Sequence, residues 1–269
     1  MKFDNEFFSL GYIDRLSYKE TFIHNIDARV KLAISMMFIV CVVSFPKHVV
    51  LSLIPFFLFP VIFLTVGEIP LGFIVKRLVI VIPFVFFIAI FNPIFEKRVA
   101  FYIFNIPITY GILSFFSILI RFVLSVSMII LLVATTSFSG ICYALRYFRV
   151  PEIFITQLLF LYRYIFVLSE EAMRMVRAKD MRSFGNKGTE LKFYVKLTGT
   201  LLIRSILRAE KIYHAMLSRG FNGIMPYRKK RVFEKRDFLF LIVSMLFLYL
   251  FRFFDIIKFV GRIFVRGLS

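Results

Sequence analysis

Two stretches of the sequence end in an arginine that could make strong charged contacts. RAKDMRSFG occupies residues 177–185 and HAMLSRGFNG occupies residues 214–223. Each has an alanine four residues before an arginine and a small residue after it: Ala178, Arg182, Ser183 and Ala215, Arg219, Gly220. An arginine with little bulk around it can enter a groove on a partner and bind carboxylates. The same residues are also typical of an ordinary helix end, where a cation complements the helix dipole and glycine ends the helix.

Other kinds of chemistry lack a recognisable motif in this sequence. GNKGTE at 185–190 has neither the spacing nor the Lys-Ser/Thr ending of a phosphate-binding loop, so we expect no nucleotide hydrolysis by this chain alone. The histidines are scattered and the cysteines have no CxxC spacing, so we expect no bound metal and no cofactor: His24, His48, His214, Cys41, Cys142. Nothing resembles a serine-hydrolase set or an HExxH helix. The chain is therefore expected not to be an enzyme.

The composition indicates an integral membrane protein. Hydrophobic residues make up 60% of the 269 residues, with 38 Phe and no Trp, which is far above the apolar share of soluble domains. The formal net charge of +19 would suggest nucleic acid as a partner of a soluble protein. In a membrane protein the same excess reflects the positive charge of cytoplasmic loops, so we expect membrane lipid and no nucleic acid as a partner.

Five apolar segments are candidates for membrane-spanning helices, since a span needs about 20 mostly apolar residues. The segment 67–77 is predicted to be interfacial, and 92–111 is predicted to be a loop with a short pair of strands. The expected fold class is all-α: a polytopic membrane protein with about five transmembrane helices and a cytoplasmic helical coupling domain. The five predicted spans are 30–45, 49–66, 78–91, 111–134 and 238–251.

The region after the fourth span is predicted to be cytoplasmic. Residues 169–236 contain 17 Lys and Arg against 6 Asp and Glu, a local net charge of +11. By the positive-inside rule such a block lies in the cytoplasm. With four spans before it, the N-terminus is predicted to be cytoplasmic as well. The predicted domains are a membrane domain at 1–134, a coupling-helix domain at 135–236 and a C-terminal span within 237–269, in a multi-pass protein of the cell membrane.

Two long amphipathic helices are predicted within the basic block. The first begins after Pro151, places its apolar half against the membrane domain and ends near Arg182. The second covers 191–218 and ends near Arg219. One of its stripes is cationic (Arg204, Arg208, Lys211) and another is apolar (Val195, Leu202, Ala209, Ile212, Met216).

Charged residues around the predicted spans suggest scaffold roles. Asp27 can cap the first span, while Arg29 and Lys31 would hold its end at the lipid headgroups. Arg121 lies within a span and faces either protein or a substrate path. Arg252 and later cations near the C-terminus contradict the positive-inside expectation, because the last span would place them outside.

Four segments give the chain a resemblance to a known family. They are HNIDARVKL at 24–32, TTS at 135–137, LYRYIFVLSEEAMRM at 161–175 and the two Ala-x-x-x-Arg segments. In this order they resemble the transmembrane T-component of energy-coupling factor transporters. Ala28 stands where that family usually has proline, and Ser218 where the second signature usually has alanine. The stretch 162–183 further resembles the cobalt-type branch of the family.

The resemblance implies a function and a set of partners. Arg182 and Arg219, with their small neighbours, would lie at the tips of two coupling helices that dock onto two ATPase subunits. The chain would transmit ATP-driven motion to a separate substrate-binding membrane subunit, with cobalt as the implied cargo. Alternatives are a T-component for another metal or a vitamin, an ATP-independent channel or secondary carrier, and, least favoured, a membrane-tethered nucleic-acid binder. Co-purification of ATPase subunits would distinguish a T-component from an ATP-independent channel or carrier.

Overall fold

The structure is a computed structural model that describes residues 16–47, 50–96, 99–103, 106–182, 191–223 and 233–253. Helices make up most of it, as the sequence predicts. A 3-10 helix, Leu51–Phe57, and one antiparallel strand pair, β1 (Val99–Ile103) and β2 (Ile106–Thr109), complete the regular structure. The helices are α1 (Ala28–Val43), α2 (Leu58–Val66), α3 (Leu71–Ala89), α4 (Phe91–Phe95), α5 (Tyr110–Thr135), α6 (Phe138–Tyr147), α7 (Glu152–Arg182), α8 (Leu191–Leu217) and α9 (Lys235–Phe253).

The chain divides into two compact units. The bundle unit contains the described residues of 15–137 and 231–253, and the two-helix unit contains those of 138–223. The sequence predicts domain boundaries at 134/135 and 236/237. The position of each unit relative to a membrane stays a prediction.

The core of the bundle unit forms along one face of α1. Val30, Ile34, Phe38 and Val42 recur every four residues and are fully or almost fully buried. They belong to one apolar cluster with Leu124, Met128 and Leu131 of α5. Phenylalanine rings join further segments: the ring centroids of Phe38 and Phe59 are 5.2 Å apart, and those of Phe59 and Phe247 are 5.7 Å apart. Such contacts matter in a membrane because close packing, rather than the hydrophobic effect, holds helices together there.

The strand pair lies next to a close approach of two helices. A Cβ atom at Gly111, near the start of α5, would lie 2.6 Å from the Glu96 carbonyl oxygen and 2.7 Å from that of Asn92. Only glycine therefore fits where α5 passes the short helix α4. The predicted strand pair within 92–111 is present, although the same segment also contains α4.

Two predicted segments differ from the observed elements. The predicted span 49–66 is divided into the 3-10 helix and α2. Pro55, inside the 3-10 helix, accounts for the division, because proline has no N–H to donate to a continuous α-helix. The segment 67–77, predicted to be interfacial, is the turn before α3 and the first residues of that helix, which Pro70 precedes. Its place at the interface stays a prediction. Proline is well tolerated at a helix start.

Three helical segments of the described residues are long and apolar enough to cross a membrane: Leu71–Phe95, Tyr110–Thr135 and Glu152–Arg182. The chain is thus an all-α polytopic membrane protein. The helix α1 has 16 residues and α9 carries four charged side chains, so their crossing rests on the sequence prediction. The third segment is α7, which the sequence analysis assigns to the cytoplasmic side, and that assignment also stays a prediction.

The helix α9 runs parallel to α1 and contacts it near both ends. At the start of the two helices, the backbone N–H of Asp27 donates to Asp237 Oδ1 at 2.9 Å. At the other end, Arg252 Nη2 donates to the carbonyl oxygen of Ser44 at 3.2 Å, and its guanidinium lies 4.2 Å from the centre of the Phe45 ring. Arg252 therefore complements the carbonyl end of α1, where the helix dipole favours a cation.

The two-helix unit is named for the antiparallel pair of α7 and α8, and it also contains the short helix α6 and a turn. Arg149 adopts a left-handed backbone conformation (φ 61°) in the turn. Arg146 of α6 forms an ion pair with Glu152, the first residue of α7. The rings of Phe138 and Tyr162 stack with centroids 4.2 Å apart, so α6 packs on the apolar half of α7.

Candidate functional site

The first arginine of interest, Arg182, is the last residue of α7. Its side chain is exposed, and Ala178, one turn earlier, is half-buried. Lys179 and Arg182 both lie in the last turn, where cations complement the helix dipole. Ser183 lies outside the described residues. The helix end thus presents a cation beyond a residue with a small side chain.

The second arginine, Arg219, caps α8 in a well-defined geometry. Gly220 has φ +77°, its N–H donates to the Leu217 carbonyl, and the N–H of Phe221 donates to the Met216 carbonyl. This pair of bonds is the Schellman motif, which favours glycine at the left-handed position. A Cβ at Gly220 would have no atom within 4 Å, so backbone conformation rather than space accounts for the glycine. Ala215 and Arg219 are both exposed.

The two arginines lie at opposite ends of the α7–α8 pair. Residues 171–182 of α7 line a cavity with residues 196–208 of α8, and residues 157–168 line another with 205–216, so the helices are antiparallel. Thr156, near the start of α7, donates to the Gly223 carbonyl just after α8. Because α8 has 27 residues and a helix rises 1.5 Å per residue, the two ends are about 40 Å apart.

Glu171 joins the two helices between their ends. Its Oε1 accepts from Arg204 Nη1 at 3.3 Å and its Oε2 accepts from Arg208 Nη2 at 2.7 Å. Two residues of the predicted cationic stripe of α8, Arg204 and Arg208, thus donate to the same carboxylate, because residues four apart share a helix face. The sequence reasoning missed Glu171. Its neighbour Glu170 forms an exposed ion pair with Arg174 of the same helix instead.

The predicted apolar stripe of α8 divides between two faces. Ala209, Ile212 and Met216 line the cavity against α7, whereas Val195 and Leu202 line a separate, open cavity. A straight helix drifts by about 20° for every seven residues. A stripe with seven-residue spacing therefore cannot stay on one face from 195 to 216.

Two of the sequence segments quoted above meet in a buried polar cluster of the bundle unit. Asp27 caps α1, accepting at 2.8 Å from the backbone N–H of Arg29 and, through its other oxygen, from that side chain at the same distance. Lys31 Nζ donates to the Thr135 carbonyl oxygen at 2.7 Å, which joins the HNIDARVKL segment to the TTS segment. Asp237 of α9 completes the cluster by accepting from the Asp27 N–H.

The prediction that Lys31 lies at the headgroups is wrong. Its side chain is only 2% exposed, and its ammonium has protein carbonyls as hydrogen-bond acceptors instead of water. Burial and, to a smaller extent, the charge of Lys31 hold the pKa of nearby His24 below its usual value. Asp237 was missed, because nothing in the sequence near it indicates a partner 210 residues away.

Other candidate groups have plain structural contacts or remain predictions. Arg121 donates to the carbonyl oxygen of Pro46, in the turn after α1, which favours the reading that it faces protein. Within the described residues, no three or more His, Cys, Asp and Glu side chains come together as metal ligands. His48 lies outside those residues. The absence of a metal site on this chain stays a prediction.

Comparisons with known proteins agree with these segments. Residues 19–230 match the CbiQ family, described as cobalt transport protein. An uncharacterized protein of Methanocaldococcus jannaschii is 32% identical over 243 residues, 87% of this chain and 82% of that protein. A second uncharacterized protein of that organism is 31% identical over 161 residues, 58% of this chain and 56% of that protein.

A third relative carries a functional name. A protein of Methanocorpusculum labreanum, named as a fused cobalt transport protein CbiMQ, is 34% identical over 95 residues, 35% of this chain and 16% of that protein. The family match, by contrast, covers most of this chain and includes both arginine segments and the buried residues Asp27 and Lys31. With its membrane-spanning helices, the chain belongs to the CbiQ family of cobalt transport proteins.

Proposed function

We propose that this chain is the transmembrane coupling subunit of an energy-coupling factor importer for cobalt. It passes ATP-driven motion from two cytoplasmic ATPase subunits to a separate substrate-binding membrane subunit. Family membership supports a cobalt transporter, and the resemblance of the two Ala-x-x-x-Arg segments supports the coupling role. Hydrolysis belongs to the ATPase partners in this proposal, since the sequence has no phosphate-binding loop.

The observation that carries the proposal is the placement of Arg182 and Arg219. Both are exposed, and they end two antiparallel helices at points about 40 Å apart, as estimated from the helical rise. Two separate cationic ends suit two separate partner subunits. A single docking partner would more naturally use cations gathered on one face.

The contacts between α7 and α8 allow motion at one end to move both helices. Glu171 ties the helices between their ends, and the bond from Thr156 to the Gly223 carbonyl ties them near Arg219. A displacement of either arginine therefore acts on the pair as a whole. The substrate-binding subunit would respond to the movement of this pair.

The coupling role and the ordinary helix-cap role predict different free-energy costs for the loss of either arginine. A cation that only complements a helix dipole contributes about 0.3–1 kcal/mol, so its loss would leave transport nearly intact. Removing one member of a buried charged contact between proteins costs about 2–5 kcal/mol. Under the proposal, coupling fails while the chain still folds.

The test is to make Arg182→Glu and Arg219→Glu singly and together in cells that also express the partner subunits. We expect each variant to reach the membrane normally, to lose cobalt uptake and to retain less ATPase subunit on purification. Lys211→Glu is the matched control, because Lys211 is an exposed cation in the interior of α8. Normal uptake by the double variant would leave two ordinary helix ends and refute the proposal.

A further inference from the structure

A long groove between α7 and α8, here called the α7–α8 groove, has ends of opposite character. It consists of one cavity of about 810 Å³ beside the C-terminal half of α7 and another of about 560 Å³ beside its N-terminal half. Arg208 lines both, so the two cavities adjoin. One ligand could therefore occupy both ends.

The larger cavity is suited to an anion. Its ionisable lining residues are one acid, Glu171, and six cations: Arg174, Lys179, Arg182, Lys196, Arg204 and Arg208. Glu171 accepts one hydrogen bond from each of Arg204 and Arg208. A guanidinium has five N–H donors in a planar fork, so both arginines keep donors for a phosphate oxygen.

The smaller cavity is suited to hydrocarbon. Apolar and aromatic side chains from both helices form most of its wall, including Phe160, Leu161, Leu168, Ile206, Ile212 and Met216. Leu161 and Ile206 are more than half exposed, so this wall lacks a covering element within the described residues. An acyl chain would cover it.

The helix α7 changes character at the same level as the groove. Residues 153–168 contain one charged side chain, Arg163, whereas residues 169–182 contain seven. A helix with an apolar half and a charged half fits the boundary between the lipid tails and the headgroups. We propose that the α7–α8 groove binds an anionic phospholipid, whose phosphate contacts Arg204 and Arg208 and whose acyl chain lies along the apolar cavity.

The apolar cavity favours a lipid over the other anions that a basic groove could take. Free phosphate would use the basic cavity and leave the apolar wall exposed. An acidic protein segment would pair with the cations but would bring its own polar backbone to that wall, at a cost in desolvation. Basic pockets between membrane-associated helices are a known way of holding anionic headgroups.

The test uses the full chain without ATPase subunits, so that its failure is separate from failure of the coupling proposal. The purified protein is placed in nanodiscs made from equal amounts of phosphatidylcholine and phosphatidylglycerol. Native mass spectrometry after release then counts the retained lipids. We expect phosphatidylglycerol to be retained in preference to phosphatidylcholine, and neither inorganic phosphate nor a glutamate-rich peptide to displace it.

Two matched variants locate the site. Arg204→Gln with Arg208→Gln removes two charges from the groove, whereas Arg177→Gln with Lys211→Gln removes two from residues that do not line it. The groove variant is expected to lose the preference by about tenfold or more, since one cation near anionic lipid is worth about a factor of five. Ala209→Trp, which fills the apolar cavity, is expected to lower lipid retention as well.

Three outcomes would overturn the proposal. Equal retention of the two lipids would exclude a headgroup preference, and equal loss in both double variants would mean general surface charge. Displacement by phosphate or by the acidic peptide at concentrations like those of the lipid would indicate an anion site or a protein partner. Circular dichroism and gel filtration of every variant would show that a loss does not come from unfolding.

Discussion

The bundle unit and the two-helix unit differ in how they hold the charged side chains singled out above. The bundle unit buries Asp27, Lys31 and Asp237 to 1–2% exposure and gives them partners. The two-helix unit leaves Arg204 more than half exposed, although it contacts Glu171. The first unit pairs these three charged groups internally, whereas the second presents cations that an external partner could contact. Exposed cations of this kind are what the proposed docking to ATPase subunits requires.

The buried cluster shows how the bundle unit stabilises charges away from water. An unpaired charge in an apolar environment costs many kcal/mol, so each charged group needs hydrogen-bond partners. Lys31 donates to the Thr135 carbonyl, and Asp237 accepts from the N–H groups of Asp27 and Glu234. The cluster therefore joins the start of α1 to the end of α5 and to the start of α9.

The largest contrast between the units should appear when a carboxylate is removed from each. In Asp237→Ala, the buried N–H of Asp27 loses its acceptor, at a cost of about 1–3 kcal/mol, and the N–H of Glu234 loses one too. In Glu171→Ala, the two arginines are exposed enough for water to replace the carboxylate, so the expected cost is at most about 1 kcal/mol. Thermal unfolding of the purified variants in detergent measures both effects.

Asp237→Asn is the control for that contrast. An amide oxygen can still accept from the Asp27 N–H, so this variant should be closer to the native protein than Asp237→Ala. Equal unfolding temperatures for Asp237→Ala and Glu171→Ala would mean that the bundle unit does not depend on its buried cluster.

A smaller difference in thermal stability is expected between alanine substitutions at two glycines, one in each unit. Gly111→Ala brings a Cβ within 2.7 Å of backbone atoms in α4, so helices must shift, at a cost of about 1–3 kcal/mol. Gly220→Ala meets no atom but requires a left-handed alanine, which costs about 1–2 kcal/mol at one exposed helix end. We expect Gly111→Ala to lower the thermal stability of the protein. Gly220→Ala should mainly weaken ATPase co-purification, and Gly220→Asn should weaken it less.

The smallest expected effect is an absence of labelling. Burial raises the pKa of the Cys142 thiol to about 11, so at neutral pH the thiol stays protonated and reacts poorly with maleimide.

In a Cys41→Ser background, Asn222→Cys should react only after the membrane is permeabilised, because the basic block is predicted to be cytoplasmic. Labelling of Asn222→Cys in intact cells would contradict that placement.

Helices and their ends were predictable because their signals are local. Apolar spacing located α1, α5 and α9, and Pro151 indicated the start of α7. Asp27 was recognisable as a helix cap from its type and place alone. The glycine after Arg219 likewise marked the end of α8, and its left-handed conformation is the physical reason.

Partners distant in sequence were not predictable from one chain. Lys31 is a cation near the start of a predicted span, which is the usual place of a headgroup anchor. Only the fold brings the Thr135 carbonyl within its reach. Glu170 and Glu171 are the same residue type, and helix rotation decides which one faces α8. Asp237 follows two cations and looks like an ordinary first-turn acid until α9 is placed beside α1.

The parallel arrangement of α1 and α9 constrains how often the chain can cross the membrane between them. If both helices span, their contacts at Asp237 and Arg252 place the two starts on one side and the two ends on the other. The chain must then make an odd number of crossings between Ser44 and Glu234. Single crossings by the segment 51–66, α3 and α5 would make three, and one further crossing by α7 alone would make the number even. The count therefore agrees with the sequence prediction that α7 begins and ends on one side of the membrane, which stays a prediction.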